Sequence, residues 1–206
     1  MSSPQDQATE HPTRLRIVDA AAALFSRQGY AATGITSVLD AAGAPSGSLY
    51  HFFPGGKEDL GAAAIRASGD VYRQLVDLFF PEGVDVVAAT EAFFAGAGEL
   101  LRETGFTDAC PIATITLETA SASEPMRIAS SESFESWLDI VQQRFAESGI
   151  ARKRARELAV ELFCAVEGAF LLCRASRSTE AMEVTGRSSA AAVRAALPSR
   201  RRRSRA

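Results

Sequence analysis

The sequence predicts an all-α fold, and three observations carry that prediction. Val, Ile, Thr and Tyr never cluster in alternating runs while alanine is abundant, which favours helix over strand. Apolar residues recur at steps of three and four along most of the chain, as on the buried face of a surface helix. With 206 residues, 47% of them hydrophobic and 23% charged, the chain is long and apolar enough to bury its own core.

The elements follow in order. Residues 1–12, "MSSPQDQATEHP", are polar, lack the apolar stretch of a signal peptide and read as a disordered arm. From Thr13, a plausible N-cap, Ile17, Ala20, Ala21, Leu24 and Phe25 line one face of a helix that stops at Gly29. A second helix over 34–42 is capped by Thr33 or Gly34 and ends at Gly43. At two turns it cannot stand alone, so Ile35, Val38 and Leu39 must pack on the first helix. After Gly43-Ala44-Pro45, residues 46–52 make a third short helix, which "PGG" ends. A long helix starts at Lys57 and runs to Pro81, with Leu60, Ala64, Ala67, Val71, Leu75, Leu78 and Phe79 at helical spacing.

The rest is helical by the same pattern. Helices are expected over Val84–Arg102, over the short "IATITLETA", from Pro125 in a first turn to about Glu147, over Arg152–Arg174, and from about Thr179 to Leu197. The domain reading is an arm at 1–12, a three-helix domain at 13–60, a larger helical domain at 61–198 and a basic tail at 199–206.

Several function classes are excluded at this level. Three cysteines without C-x-x-C spacing argue against a disulfide framework or a zinc site, and Cys164 and Cys173 are expected to pack in their apolar helix. With two histidines, one in the arm and one in the third helix, no Ser-His-Asp set, metal cluster or cofactor loop is visible, so neither an enzyme nor a cofactor is expected. Gly55 and Gly56 are not followed by the G-K-[ST] of a phosphate loop. No run of 18 apolar residues exists, so a cytoplasmic protein is expected. Net charge is −3, yet five arginines sit in the last seven residues and the remainder carries 17 basic and 25 acidic groups. The "RKRAR" run, Arg152–Arg156, is expected to pair with carboxylates of that acidic body.

Two short helices joined by a tight turn containing Gly form a helix-turn-helix, whose second helix enters the DNA major groove. Leu49 and Phe53 are expected to point inward, leaving Ser46, Gly47, Ser48, Tyr50 and His51 outside. Gly47 lets the backbone approach bases; the serines suit base edges and phosphates; the Tyr50 hydroxyl and a His51 N–H suit phosphate oxygens. Lys57 adds positive charge at the next helix start.

The pattern F-x-x-x-G-Y, then A-G-x-x-x-G-x-L-Y-x-x-F, stands here as Phe25, Gly29, Tyr30, Ala42, Gly43, Gly47, Leu49, Tyr50 and Phe53. In this the chain resembles the TetR/AcrR family of transcriptional repressors. "GAPSGSLYHFFPGGKEDL", with Cys110-Pro111 and "IATITLE" later, is similar to its LmrA/YxaF-type branch. The resemblance implies an all-α homodimer: a helix-turn-helix DNA-binding domain, and a C-terminal helical domain that binds a small effector and dimerises. The DNA-facing set is then Thr33, Thr36, Ser46, Gly47, Ser48, Tyr50, His51 and Lys57, on a palindromic double-stranded operator.

Residues 158–173 are apolar nearly all round, so that helix is buried on more than one side. In the family's arrangement the last two long helices of each subunit form a four-helix dimer bundle, which points to Ala155, Ala159, Leu162, Val166, Ala190, Val193 and Leu197 as the interface. For the effector the set is Phe94, Thr114, Glu118, Phe134, Trp137 and Phe163, whose aromatic character suggests a lipophilic, ring-containing molecule. Two rivals stand beside this reading: a helical-bundle enzyme, and an interaction module that has lost specific DNA binding, to which the equal count of basic and acidic groups in 13–60 lends weight.

Overall fold

The computed structural model describes residues 4–107 and 110–198, with side chains from residue 12 onward; the basic tail lies outside the described residues. Among the described residues every regular element is helical: α1 (Pro4–Gln28), α2 (Ile35–Ala42), α3 (Ser48–Phe52), α4 (Lys57–Phe79), α5 (Val86–Glu103), α6 (Pro111–Thr119), α7 (Glu124–Glu147), α8 (Arg152–Ser176) and α9 (Glu180–Ala196). None of them is long and apolar enough to cross a membrane.

The chain forms two compact units. The first joins the residues up to Arg73 with those ending at Glu135 that include α6; the second joins Gln74–Thr107 with the chain from Ser136 onward. The domain boundary read from the sequence at residue 60 is therefore not where the chain divides into compact bodies. Two causes are visible. Helix α6 packs on α1. In α4, Gly61 and Gly69 lie so close to the Met126 and Ser133 side chains of α7 that a Cβ at either would collide.

The first unit begins earlier than expected. Helix α1 starts at Pro4, so the segment read as an arm is helical from there on, and Thr13 lies inside the helix rather than at its N-cap. The upstream residues include Gln, Ala and Glu, which are good helix formers. Pro12 is tolerated inside the helix although it cannot donate to the carbonyl one turn back. The expected inward face holds, with Ile17, Ala21 and Phe25 fully buried. Val38 and Leu39 of α2 are buried as expected, as are Leu49 and Phe53. Along α4 the stripe drifts: Leu60 and Ala64 are buried, but Val71, Leu75 and Leu78 are exposed, and Ile65, Val76 and, just past the helix, Phe80 carry the core instead.

In the second unit α5 and α8 both pack on α9. Asp85 caps α5, its Oδ1 accepting the Val87 and Ala88 N–H groups at 2.9 and 3.2 Å. The core is aromatic: Phe93 meets Phe79, Phe80, Phe94 and Phe163 at centroid separations of 5.5–6.1 Å. Within the "RKRAR" run two cations meet carboxylates, Arg154 on Glu157 and Glu161, and Arg156 on Asp139 at 3.5 Å.

Candidate nucleic-acid interface

The turn between α2 and α3 is built by backbone geometry. Gly43 takes the left-handed conformation (φ +57°), which a glycine adopts without penalty. Its N–H donates to Asp40 O, and Ala44 N–H to Leu39 O, so the last α2 carbonyls are satisfied. Arg16 adds a brace by donating from Nε to Ala42 O at 3.1 Å. Ser48 N–H then donates to Pro45 O and opens α3. Leu49 and Phe53 anchor α3 inward, which leaves Gly47, Tyr50 and His51 at i, i+3 and i+4 on one exposed face.

On that face Tyr50 is 70% exposed. His51 is exposed, with its ring edge-on to Phe52 at 4.8 Å. Ser46 and Gly47 are exposed and Ser48 is half-buried. Thr36 stands exposed in the first turn of α2. Gly47 has an ordinary backbone (φ −73°), and a Cβ there would meet nothing within 4 Å. The fold itself therefore does not require glycine at this position.

Two members of the DNA-facing set are turned inward. Thr33 is 1% exposed, and its hydroxyl donates to Gly29 O at 2.7 Å, clamping the α1–α2 turn. Lys57 donates from Nζ to Tyr30 O at 2.7 Å and lies 4.3 Å from the centre of the Tyr30 ring. Burial pushes the Lys57 ammonium below its ordinary pKa, and the Glu118 carboxylate pulls it back up. A carboxylate already stands near the start of α4: Asp59 Oδ2 accepts Gly55 N–H at 2.6 Å, just ahead of the helix. Arg14 lies over the Phe53 ring at 5.2 Å. Three of the four basic side chains of residues 13–60 thus brace the unit itself, an assignment that local spacing does not reveal.

The effector set divides between the units, whereas the interface set lies wholly in the second. Trp137 and Phe163 pack at 5.9 Å in the second unit. Phe94 is also in the second unit, but its Cβ lies against Gly186 of α9, and it lines a cleft of about 290 Å³ between α5 and α9 that contains none of the other five effector residues. Thr114, Glu118 and Phe134 belong to the first unit. The Thr114 hydroxyl donates to Cys110 O, and Glu118 accepts Ala31 N–H.

The interface residues need correction. Ala155, Ala159, Leu162, Val166, Ala190 and Val193 are buried within one chain, where α8 packs on α9. Their small or regular side chains allow close approach of those two helices. The second apolar face of α8 is a different stripe, exposed Val160, Cys164, Leu171 and Leu172, flanked by exposed Val184 on α9. Cys164 is thus exposed rather than packed, while Cys173 is buried as expected.

The fold and the α2–α3 site define a helix-turn-helix transcription regulator. The TetR-family family model for bacterial regulatory proteins matches residues 17–64, and the LmrA/YxaF-like C-terminal domain matches residues 86–188. The regulator YxaF of Bacillus subtilis is 34% identical over 160 residues, covering 78% of this chain and 84% of its own length. LmrA of the same organism is 30% identical over 167 residues, covering 81% and 89%. A TetR transcriptional regulator from Chloroflexus aurantiacus has the same fold, with a TM-score of 0.76 at 24% identity over 92% of this chain and 98% of its own. The chain belongs to the TetR family of bacterial transcriptional regulators, in the LmrA/YxaF-like branch. Regulators of this family bind DNA, dimerise and are not enzymes, and ligand-responsive repression is typical of them.

Proposed function

We propose that this chain is a cytoplasmic homodimeric repressor that reads a palindromic operator through α3 and is released from it by a lipophilic, ring-bearing molecule. The observation that carries the DNA reading is Gly47. It is an exposed glycine beside Tyr50 and His51 that neither backbone strain nor internal packing requires, and close approach to a partner surface supplies the reason. Ser46 and Ser48 flank it in the chain, and Thr36 is exposed in the first turn of α2. Tyr50 and His51 take phosphate oxygens, which position the dimer without specifying sequence.

The test is fluorescence anisotropy on labelled DNA from upstream of the gene, across a salt series with competitor. Wild type binds saturably and resists competitor. In Tyr50→Phe and His51→Ala, affinity falls about three- to tenfold on specific and competitor DNA alike. Unchanged binding in both variants removes these residues from the interface.

For the effector, the supporting observation is the aromatic core of the second unit around Phe93, Phe163 and Trp137. Trp137 is the only tryptophan, so its emission reports that core. A ring-bearing lipophile that acts as effector quenches Trp137 and lowers operator affinity over the same concentration range, because the ligand can shift the equilibrium only by its differential affinity for the two states. Quenching with no change in DNA affinity overturns the ligand-release reading.

A further inference from the structure

Residues 29–33 connect α1 to α2 and are held by α6, by α4 and by a bond within the turn itself. Gly29 ends α1 in a positive-φ conformation (+83°), and its missing side chain makes room for a carboxylate: a Cβ there would lie 2.5 Å from Glu118 Oε1. Glu118, on α6, accepts Ala31 N–H through Oε2 at 3.0 Å. Lys57 of α4 holds the neighbouring Tyr30 carbonyl, and Thr33 holds that of Gly29. Gly34 then caps α2, and α2 leads through Gly43 into α3. The position of this connection therefore sets the position of both helices of the helix-turn-helix.

Helix α6 lies in the stretch matched as the C-terminal domain, yet it folds in one compact unit with α1–α3. Its Glu118 contact spans 87 residues of sequence. A carboxylate accepting a backbone N–H makes a charge-assisted bond, stronger than a neutral acceptor makes at the same distance. Glu118 is exposed, so water competes for that carboxylate, and a small displacement of α6 suffices to open the bond.

We propose that Glu118 is a positioning residue for DNA recognition: its carboxylate pins the α1–α2 connection to α6 and so fixes where α2 and α3 stand, without touching DNA. This rests on the DNA-binding reading above and assigns to Glu118 a role in it other than contact with an effector.

The experiment compares full-length wild type with Glu118→Gln and Glu118→Ala in three measurements: thermal unfolding, amide hydrogen exchange without DNA, and operator anisotropy. The pin predicts an unfolding temperature within about 2 °C of wild type. It predicts faster exchange confined to Ala31, α2 and residues 46–53, and operator affinity weakened about fivefold in Gln and further in Ala. A merely structural Glu118 lowers the unfolding temperature and raises exchange throughout the unit, and that result overturns the proposal. Unchanged exchange at 46–53 together with affinity within twofold of wild type also overturns it. If exchange rises locally while wild type binds no operator at all, the pin stands and the DNA-binding reading fails.

Discussion

Leu171→Glu is expected to convert the dimer to a monomer and to weaken operator binding by at least about a hundredfold. Leu171 is 71% exposed on α8, and Leu172, Val160 and Val184 extend the apolar stripe around it. A helix with a second apolar face is normally covered, and the family's habit of dimerising supplies a cover: the same stripe of a second copy. Full burial of a leucine is worth about 1.5–3 kcal/mol, and a two-fold axis counts every contact twice. A glutamate at the same position puts two like charges into that surface and leaves them unpaired, which costs more than the lost apolar area.

The consequence for DNA follows from avidity. Two reading heads on one palindrome bind roughly 10²–10⁴ times more tightly than one, and a monomer loses that factor without losing a single DNA contact. Sedimentation equilibrium and anisotropy on the same sample check both halves. A variant that remains dimeric would place the interface elsewhere, and the exposed stripe would then need another occupant. Ala159→Glu serves as the contrast: Ala159 is fully buried within the chain, so its substitution is expected to unfold the second unit rather than to dissociate an intact one.

What the sequence made legible, and what it did not, divides by distance along the chain. The order and extent of α2 to α9, the cap at Gly43 and the inward pair Leu49 and Phe53 are local properties, set by residues three or four apart, and periodicity reports them. Cys110-Pro111 is a case of the same kind: the Cys110 Sγ accepts Ala113 N–H and Pro111 opens α6, so the "CP" pair is a helix start. Lys57, Arg16 and Glu118 have partners 27, 26 and 87 residues away, and no local spacing reveals which way such a side chain turns.

The small residues of α8 misled for a related reason. An apolar helix with two faces must be covered twice, but composition does not say which face the same chain covers. Alanines at Ala155 and Ala159 allow close backbone approach, and the nearby helix of the same chain takes that face first. The larger leucines then remain for the outside. The upstream extension of α1 is a different failure: Thr13 reads as the N-cap after a polar arm, and the helix instead starts at Pro4 and runs through Pro12.

Gly47→Ala separates fold from recognition at a single methyl group. At φ −73° and ψ −15° alanine is unstrained, and its Cβ meets no atom within 4 Å in the chain. Gly→Ala at a compatible backbone usually stabilises by about 0.4–1 kcal/mol through the unfolded state. Alanine is less favourable than glycine at an N-cap by roughly 0.5–1 kcal/mol, which offsets that gain, so the unfolding temperature is expected to hold close to wild type. The same methyl stands between Ser46 and Tyr50 on the face proposed to meet DNA. There it adds roughly 1–2 Å of stand-off between α3 and the groove, enough to lengthen the neighbouring hydrogen bonds beyond useful range. Operator affinity is expected to fall at least tenfold while competitor binding, carried by longer-range charge, changes less. Circular-dichroism melting and the anisotropy assay together decide it. A stable variant with wild-type affinity would mean that α3 does not approach the bases through Gly47, and that the open space beside it serves no DNA contact.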